Sequence, residues 1–160
     1  MTGVAQFDRT DLRLLAEIQQ HGRATNAELA ARVNLSASAC LRRVQRLEAE
    51  GVIAGYGARL DPKRIGLGLQ AFVRVQLEKH DQQAIALFAD SVIEWDAVVA
   101  SHALTGDMAY LLHVYVRDLE HFSSFLLDKL LNAAGVADVN SSFVLRTVKD
   151  FQSLPLTQLE

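Results

Sequence analysis

A chain of 160 residues, half of them hydrophobic and 22% charged, has room for one ordinary domain or two small ones and enough apolar material for a core, which excludes a large multi-domain enzyme and a disordered chain. No run approaches the roughly 18 apolar residues that cross a bilayer, the stretch MTGVAQFDRTD has no charged-then-apolar leader, and the single cysteine, Cys40, has no partner for an internal disulfide or a Cys-rich metal site. A cytoplasmic globular protein is expected. The net charge of -3 is spread unevenly: residues 1–66 hold ten Lys or Arg against seven Asp or Glu, and residues 67–160 hold six against twelve. A basic segment joined to an acidic one suggests a polyanion-binding part attached to a part with another task.

Three helices come first, each with a start signal. Asp8 is placed to cap the first, with Phe7 and Leu12 at the spacing of a hydrophobic staple and Leu12, Leu15 and Ile18 on one face, and His21-Gly22 ends it. Thr25-Asn26-Ala27-Glu28 fits a capping box opening a short helix over Asn26 to Val33, after which Asn34 permits a tight turn. Ser36 caps a third helix reaching Glu50, whose Cys40, Leu41, Val44 and Leu47 should face the first two, and Gly51 stops it. The opposite face carries Ser38, Arg42, Gln45 and Arg46, with Arg43 at its flank. Such a stripe is often only a solvated face, here balanced in part by Glu48 and Glu50. A short helix, a turn of about three residues and a longer helix with polar and basic residues near its start is, however, the helix-turn-helix arrangement that seats its second helix in a major groove.

The glycine-broken run Val52 to Leu60 reads as a strand or small ribbon, and Asp61-Pro62-Lys63-Arg64 as a break between domains. From Leu69 the period turns to alternation, with Leu69, Ala71, Val73, Val75 and Leu77 on one side of a strand. A helix with Ile85, Phe88 and Val92 buried follows. Then come apolar runs over Ala97 to Leu104 and Ala109 to Val116 joined by a hairpin connection, a helix capped by Asp118 with Phe122, Leu126 and Leu130 inward, Gly135 as its stop, and a last strand over Val139 to Val148. This β-α-β-β-α-β order predicts a ferredoxin-like fold, a four-stranded antiparallel sheet with both helices on one face. The fold class is therefore α+β: a helix-turn-helix domain with a linking strand over residues 1–62 and a ferredoxin-like domain over residues 63–160. Phe72, Leu111, His113, Tyr115, Phe143 and Leu145 carry the parity of the uncovered sheet face, in a register where a one-residue slip exchanges the two sets. Exposed apolar surface on that scale favours dimerisation, with Arg74 and Gln76 in the interface.

The stretch RATNAELAARVNLSASACLRRVQRLEAEGVIAGYGARLDP, from Arg23 to Pro62, resembles the DNA-binding half of the Lrp/AsnC, or feast/famine, transcription regulators. ALTGDMAYLL, from Ala103 to Leu112, is similar to the effector-domain signature of that family, and Gly135-Val136, Ser141 to Leu145 and Lys149 continue the match over about 150 residues in order. The resemblance implies a winged helix-turn-helix on double-stranded DNA, a ferredoxin-like domain that dimerises through its sheet, assembly to tetramers or octamers, and an amino-acid effector bound between effector domains. It places DNA contacts at Ser36, Ser38, Arg42, Arg43 and Arg46, and effector contacts at Thr105, Gly106, Asp107, Ala109, Gly135, Val136 and Asp138. Two departures stand out: Ala37 and Ala39 occupy positions where the family's recognition helix carries prolines, and Ala109 stands where a second acidic residue is usual. An apolar effector such as leucine or methionine is expected, its ammonium left to Asp107 or to carbonyl oxygens.

Two other readings use the same residues. An architectural DNA-binding protein would keep the fold without the effector. A small enzyme on the sheet domain would rely on His102, Asp107 and His113, yet His113 lies in an apolar strand and Asp107 in a turn, and the sequence carries no metal-ligand pair at helical spacing, no phosphate-binding glycine loop and no nucleophile motif. No catalytic residue, metal or cofactor is expected.

Overall fold

The computed structural model describes residues 6–78, 82–105 and 110–159. The chain forms two compact units, one running through Arg59 and taking in the segment from Lys149 onward, the other spanning Leu60–Val148. In the first, Asp8 caps α1 (Arg9–Gln20) by accepting the Asp11 N–H at 2.7 Å, while the Asp11 carboxylate accepts the Asp8 N–H at 3.2 Å. Thr25 and Glu28 make the expected reciprocal cap on α2 (Asn26–Val33), which ends at Asn34 in the left-handed region at φ 57°, and Ser36 Oγ accepts the Ala39 N–H to open α3 (Ala37–Ala49). These caps satisfy first-turn N–H groups that no helix satisfies internally. Leu14, Leu15, Ile18, Leu29, Ala30, Val33, Cys40 and Leu47 close into one core. Leu14, absent from the expected face, is fully buried, whereas Leu41 remains 46% exposed because it lines an open hollow of about 300 Å³ with Ile18, Leu29, Val44 and Tyr56.

The strand expected over Val52 to Leu60 does not form. Gly51, at φ 71°, turns the chain so that the Val52 and Ile53 N–H groups both bond to the Leu47 carbonyl at 2.9 and 3.1 Å, closing the end of α3 and taking donors a ladder would need. Nor does the chain after residue 148 belong to the sheet domain, as an extent to residue 160 requires. The Leu154 N–H donates to Gln19 Oε1 at 2.7 Å, and Leu156, opening a 3₁₀ turn (Leu156–Leu159), packs on the helical core.

The second unit contains β1 (Leu69–Leu77), α4 (Gln82–Ile93), β2 (Val98–Ala103), β3 (Tyr110–Val116), α5 (Leu119–Ser124) and β4 (Val136–Phe143). A π-helical turn over Phe125–Leu130 prolongs α5, with the Leu131 N–H reaching the Leu126 carbonyl. The strands lie in the order β2-β3-β1-β4, every neighbouring pair antiparallel, which is the ferredoxin-like topology. Ala71, Val73, Val75 and Leu77 face Leu112, Val114, Phe88 and Leu130 in a core where Trp95 meets Phe88 and Phe125 edge-on, at 6.1 and 5.6 Å. Phe125 joins the expected inward positions, while Ile85 remains 39% exposed.

The last strand starts and stops earlier than Val139 to Val148, which leaves Leu145 beyond it and 98% exposed. Because Phe143 pairs with Ala71, it lies on the helix-covered face and meets Phe122 edge-on at 4.9 Å. Both residues leave the expected uncovered set. That face instead joins Phe72, Arg74 and Gln76 of β1 to Leu111 and His113 of β3 and to Ser142, Asn140 and Asp138 of β4, with Tyr115 continuing the β3 row beside His113.

Candidate nucleic-acid interface and effector site

Asn26, at the start of α2, donates from Nδ2 to the Ala37 carbonyl at 2.8 Å. The first turns of α2 and α3 are thereby tied together, which sets the angle at which α3 leaves the turn. Ser36, Ser38, Arg42 and Gln45 are exposed along α3, with Ser36 Oγ 3.3 Å from Ser38 Oγ. Alanines at 37 and 39 do not disturb the helix entry, since the Ser36 cap forms without prolines.

The three arginines are not equivalent. Arg42 has no ion-pair partner among the described residues. Arg43 Nη1 donates to Asp8 Oδ2 and Asp11 Oδ1, both at 2.7 Å, and Arg46 Nη2 reaches Asp11 Oδ2 at 2.7 Å. Asp11 is only 1% exposed. Its burial pushes the carboxyl upward, but the bonds from Arg46, Arg43 and the Asp8 N–H prevail and hold it below the usual carboxylate range. Asp8 is lowered chiefly by the Asp11 backbone N–H and then by Arg43. The partial neutralisation expected from Glu48 and Glu50 comes mainly from α1. Glu48 instead accepts the Tyr56 hydroxyl at 2.8 Å, and loss of hydration together with that bond pushes the phenol up to about 12. This α1–α3 pairing had no signal in the sequence beyond an acid at the third position of α1.

In the sheet unit, Thr105 is exposed just beyond β2, and Gly106, Asp107 and Ala109 lie outside the described residues. Gly135, at φ 81°, accepts the Glu78 N–H at 2.8 Å, Val136 pairs with Leu77, and Asp138 pairs with Gln76. The antiparallel register brings the end of β2, the start of β3, the end of β1 and the start of β4 to one end of the sheet, with Tyr110 and Val139 both opposite Val75. Thr105 and the Gly135 to Asp138 segment therefore lie at the same end of the sheet, on its two opposite edge strands. Glycine at 135 suits a backbone conformation that side chains disfavour. At the other end, Leu67, Ala97, Val99, Tyr115, Arg117 and His121 line an open cleft of about 380 Å³ that the sequence did not announce. His113 bonds to Gln70 through Nε2 at 2.6 Å and stacks on Phe72 at 4.5 Å, the environment of a structural histidine. His102 is exposed on β2.

A capped helix pair carrying a basic, exposed third helix, joined to a ferredoxin-like sheet, defines a two-domain DNA-binding regulator. Residues 7–54 match the family model for winged helix-turn-helix DNA-binding, and residues 70–154 match that for the Lrp/AsnC ligand binding domain. The chain belongs to the Lrp/AsnC family of transcriptional regulators, and it is not an enzyme. Among its relatives are a Bkd operon transcriptional regulator of Pseudomonas aeruginosa, 39% identical over 96% of this chain and all of its own length, and a leucine-responsive regulatory protein of Rhizobium meliloti, 37% identical over 91% and 93%. A transcriptional regulator of Neisseria meningitidis, solved as its L-methionine complex, is 46% identical with a TM-score of 0.93, covering 97% of this chain and all of that one.

Proposed function

We propose that this regulator reads duplex DNA through Ser36, Ser38 and Arg42 at the exposed face of α3, and that an apolar amino acid such as leucine or methionine, bound at the sheet rim, alters its assembly or DNA affinity. The observation that carries the first half is the exposed Arg42, without an ion-pair partner among the described residues, on a helix whose entry is fixed by the Ser36 cap and the Asn26 bond. Arg43 and Arg46 contribute as the flanks of that face. The second half draws on the end of the sheet shared by Thr105 and the Gly135 to Asp138 segment, and on the methionine complex of the Neisseria relative. A free amino acid needs an acceptor for its ammonium and donors for its carboxylate. In this reading Asp107 is the acceptor, backbone groups around Thr105, Gly106 and Asp107 supply part of the rest, a neighbouring subunit contributes its segment near Gly135 to Asn140, and Ala109 leaves the site one acid short.

The uncovered sheet face, with Phe72, Leu111, His113 and Tyr115, is proposed as the homodimer interface, and dimers as the units of tetramers or octamers in the cytoplasm. A dimer supplies two reading helices for half-sites about one helical turn apart.

Calorimetry with leucine and methionine on the natural protein, Asp107→Ala and Ala109→Asp tests the effector half. Loss of heat in the first variant with DNA binding intact, and tighter binding in the second, are expected. Unaltered affinity in Asp107→Ala refutes the assignment of that residue. No heat with any amino acid on the natural protein favours an architectural DNA-binding role without effector.

A further inference from the structure

Burying a carboxylate is costly unless its charge is matched and its lone pairs are bonded. Asp11 receives Arg43, Arg46 and the Asp8 N–H, while Asp8 holds Arg43 from the other side. Two of the three guanidiniums on the proposed reading helix therefore have carboxylates 2.7 Å away before any phosphate arrives. Both remain within reach of solvent, with 31% of the Arg43 side chain and 43% of Arg46 exposed. Each would have to loosen or share its carboxylate to engage DNA fully.

We propose that Asp11, assisted by Asp8, is a positioning residue that restrains the non-specific grip of the reading helix by tying Arg43 and Arg46 to α1 and leaving Arg42 as the guanidinium free for DNA. The inference rests on the reading of α3 as the DNA-facing helix. Its physical content is a matter of selectivity. Sequence-independent affinity grows with the number of phosphates neutralised, and specificity is the difference between operator and non-operator binding. Withholding two cations from the phosphate backbone lowers non-operator binding and leaves base contacts as the distinguishing interaction.

The test measures the affinity of the full chain for a random-sequence duplex over a tenfold range of salt. Asp11→Asn removes the charge shared by both arginines. Asp8→Asn removes only part of Arg43's pairing and keeps an equally good helix cap. Each released guanidinium that reaches a phosphate should steepen the logarithmic salt slope by about 0.9, which is about eightfold in affinity across that range. Asp11→Asn should steepen the slope most, Asp8→Asn less, and Arg42→Ala should make it shallower by a similar increment. A merely structural Asp11 would weaken binding to every duplex without steepening the slope. If Asp11→Asn does not fold, Asp8→Asn decides alone. An Asp8→Asn protein with the natural helical content and a slope no steeper than the natural one overturns the proposal. An Arg42→Ala protein with both unchanged affinity and an unchanged slope overturns the reading of α3 itself and the proposal with it.

Discussion

Each unit has its own core, and Leu47→Ala tests whether each also melts by itself. Leu47 is fully buried among Leu14, Ile18, Val33 and Cys40, and its carbonyl receives the Val52 and Ile53 N–H groups, which the substitution leaves in place. The change therefore isolates packing. A buried Leu→Ala replacement costs about 2 to 5 kcal/mol, and for a unit of this size each kcal/mol lowers the midpoint by about 4 to 8 °C. The helical unit should melt at least about 8 °C earlier. The single tryptophan, Trp95, belongs to the sheet core, so its fluorescence follows the other unit, whereas circular dichroism is weighted toward α1, α2 and α3. Leu47→Ala should shift the dichroism transition and leave the Trp95 transition where it was. An equal displacement of both refutes the reasoning, because the chain would then be a single cooperative unit.

Ser36→Ala should cost about 1 kcal/mol through loss of the α3 cap, and Ser36→Asn should restore most of it, as read by urea denaturation of the helical signal. Asp8 and Asp11 have folded-state pKa values below the ordinary 3.8, so the unfolded chain binds protons first on acidification. Their contribution is present above that value and disappears as pH falls through the depressed folded values, so the helical transition should be flat in pH from 5 to 7 and fall below about 3.8; a fall confined to pH 5–7 contradicts the pairing. Tyr56 should ionise near pH 12 in an ultraviolet titration, and Tyr56→Phe should remove that late component. Phe72→Glu places a charge in the uncovered sheet face and should shift the natural assembly toward smaller species by sedimentation; an unchanged assembly places the dimer contact elsewhere.

Local chemistry was legible in the sequence wherever a few neighbouring residues determine the outcome. Thr25 with Glu28, Asp8, Ser36 and Asp118 form the caps read from spacing alone, and the β1 alternation gave its buried row correctly. Features set by distant partners were harder to read. Phe143 changed faces because its side is fixed by pairing with Ala71, not by counting forward through a loop. The run from Val52 has strand-like residues but no neighbour to pair with once its donors close α3. Nothing in the spacing around Asp11 singles it out, and only the packing of α3 against α1 reveals a buried carboxylate holding two arginines. The candidate DNA face was visible as a stripe, but its division into one free and two tethered guanidiniums was not.

The segment from Lys149 makes the helical unit discontinuous, with the sheet unit inserted between its parts. During synthesis α1, α2 and α3 leave the ribosome long before Leu154 and Leu156, so the Gln19 bond and the last apolar contact of that core form only after the whole sheet unit has emerged. The first-made unit is thus the last to be completed. A released chain that stops before residue 154 would hold every strand of the sheet unit but lack the Gln19 bond and the Leu156 contact that complete the helical core.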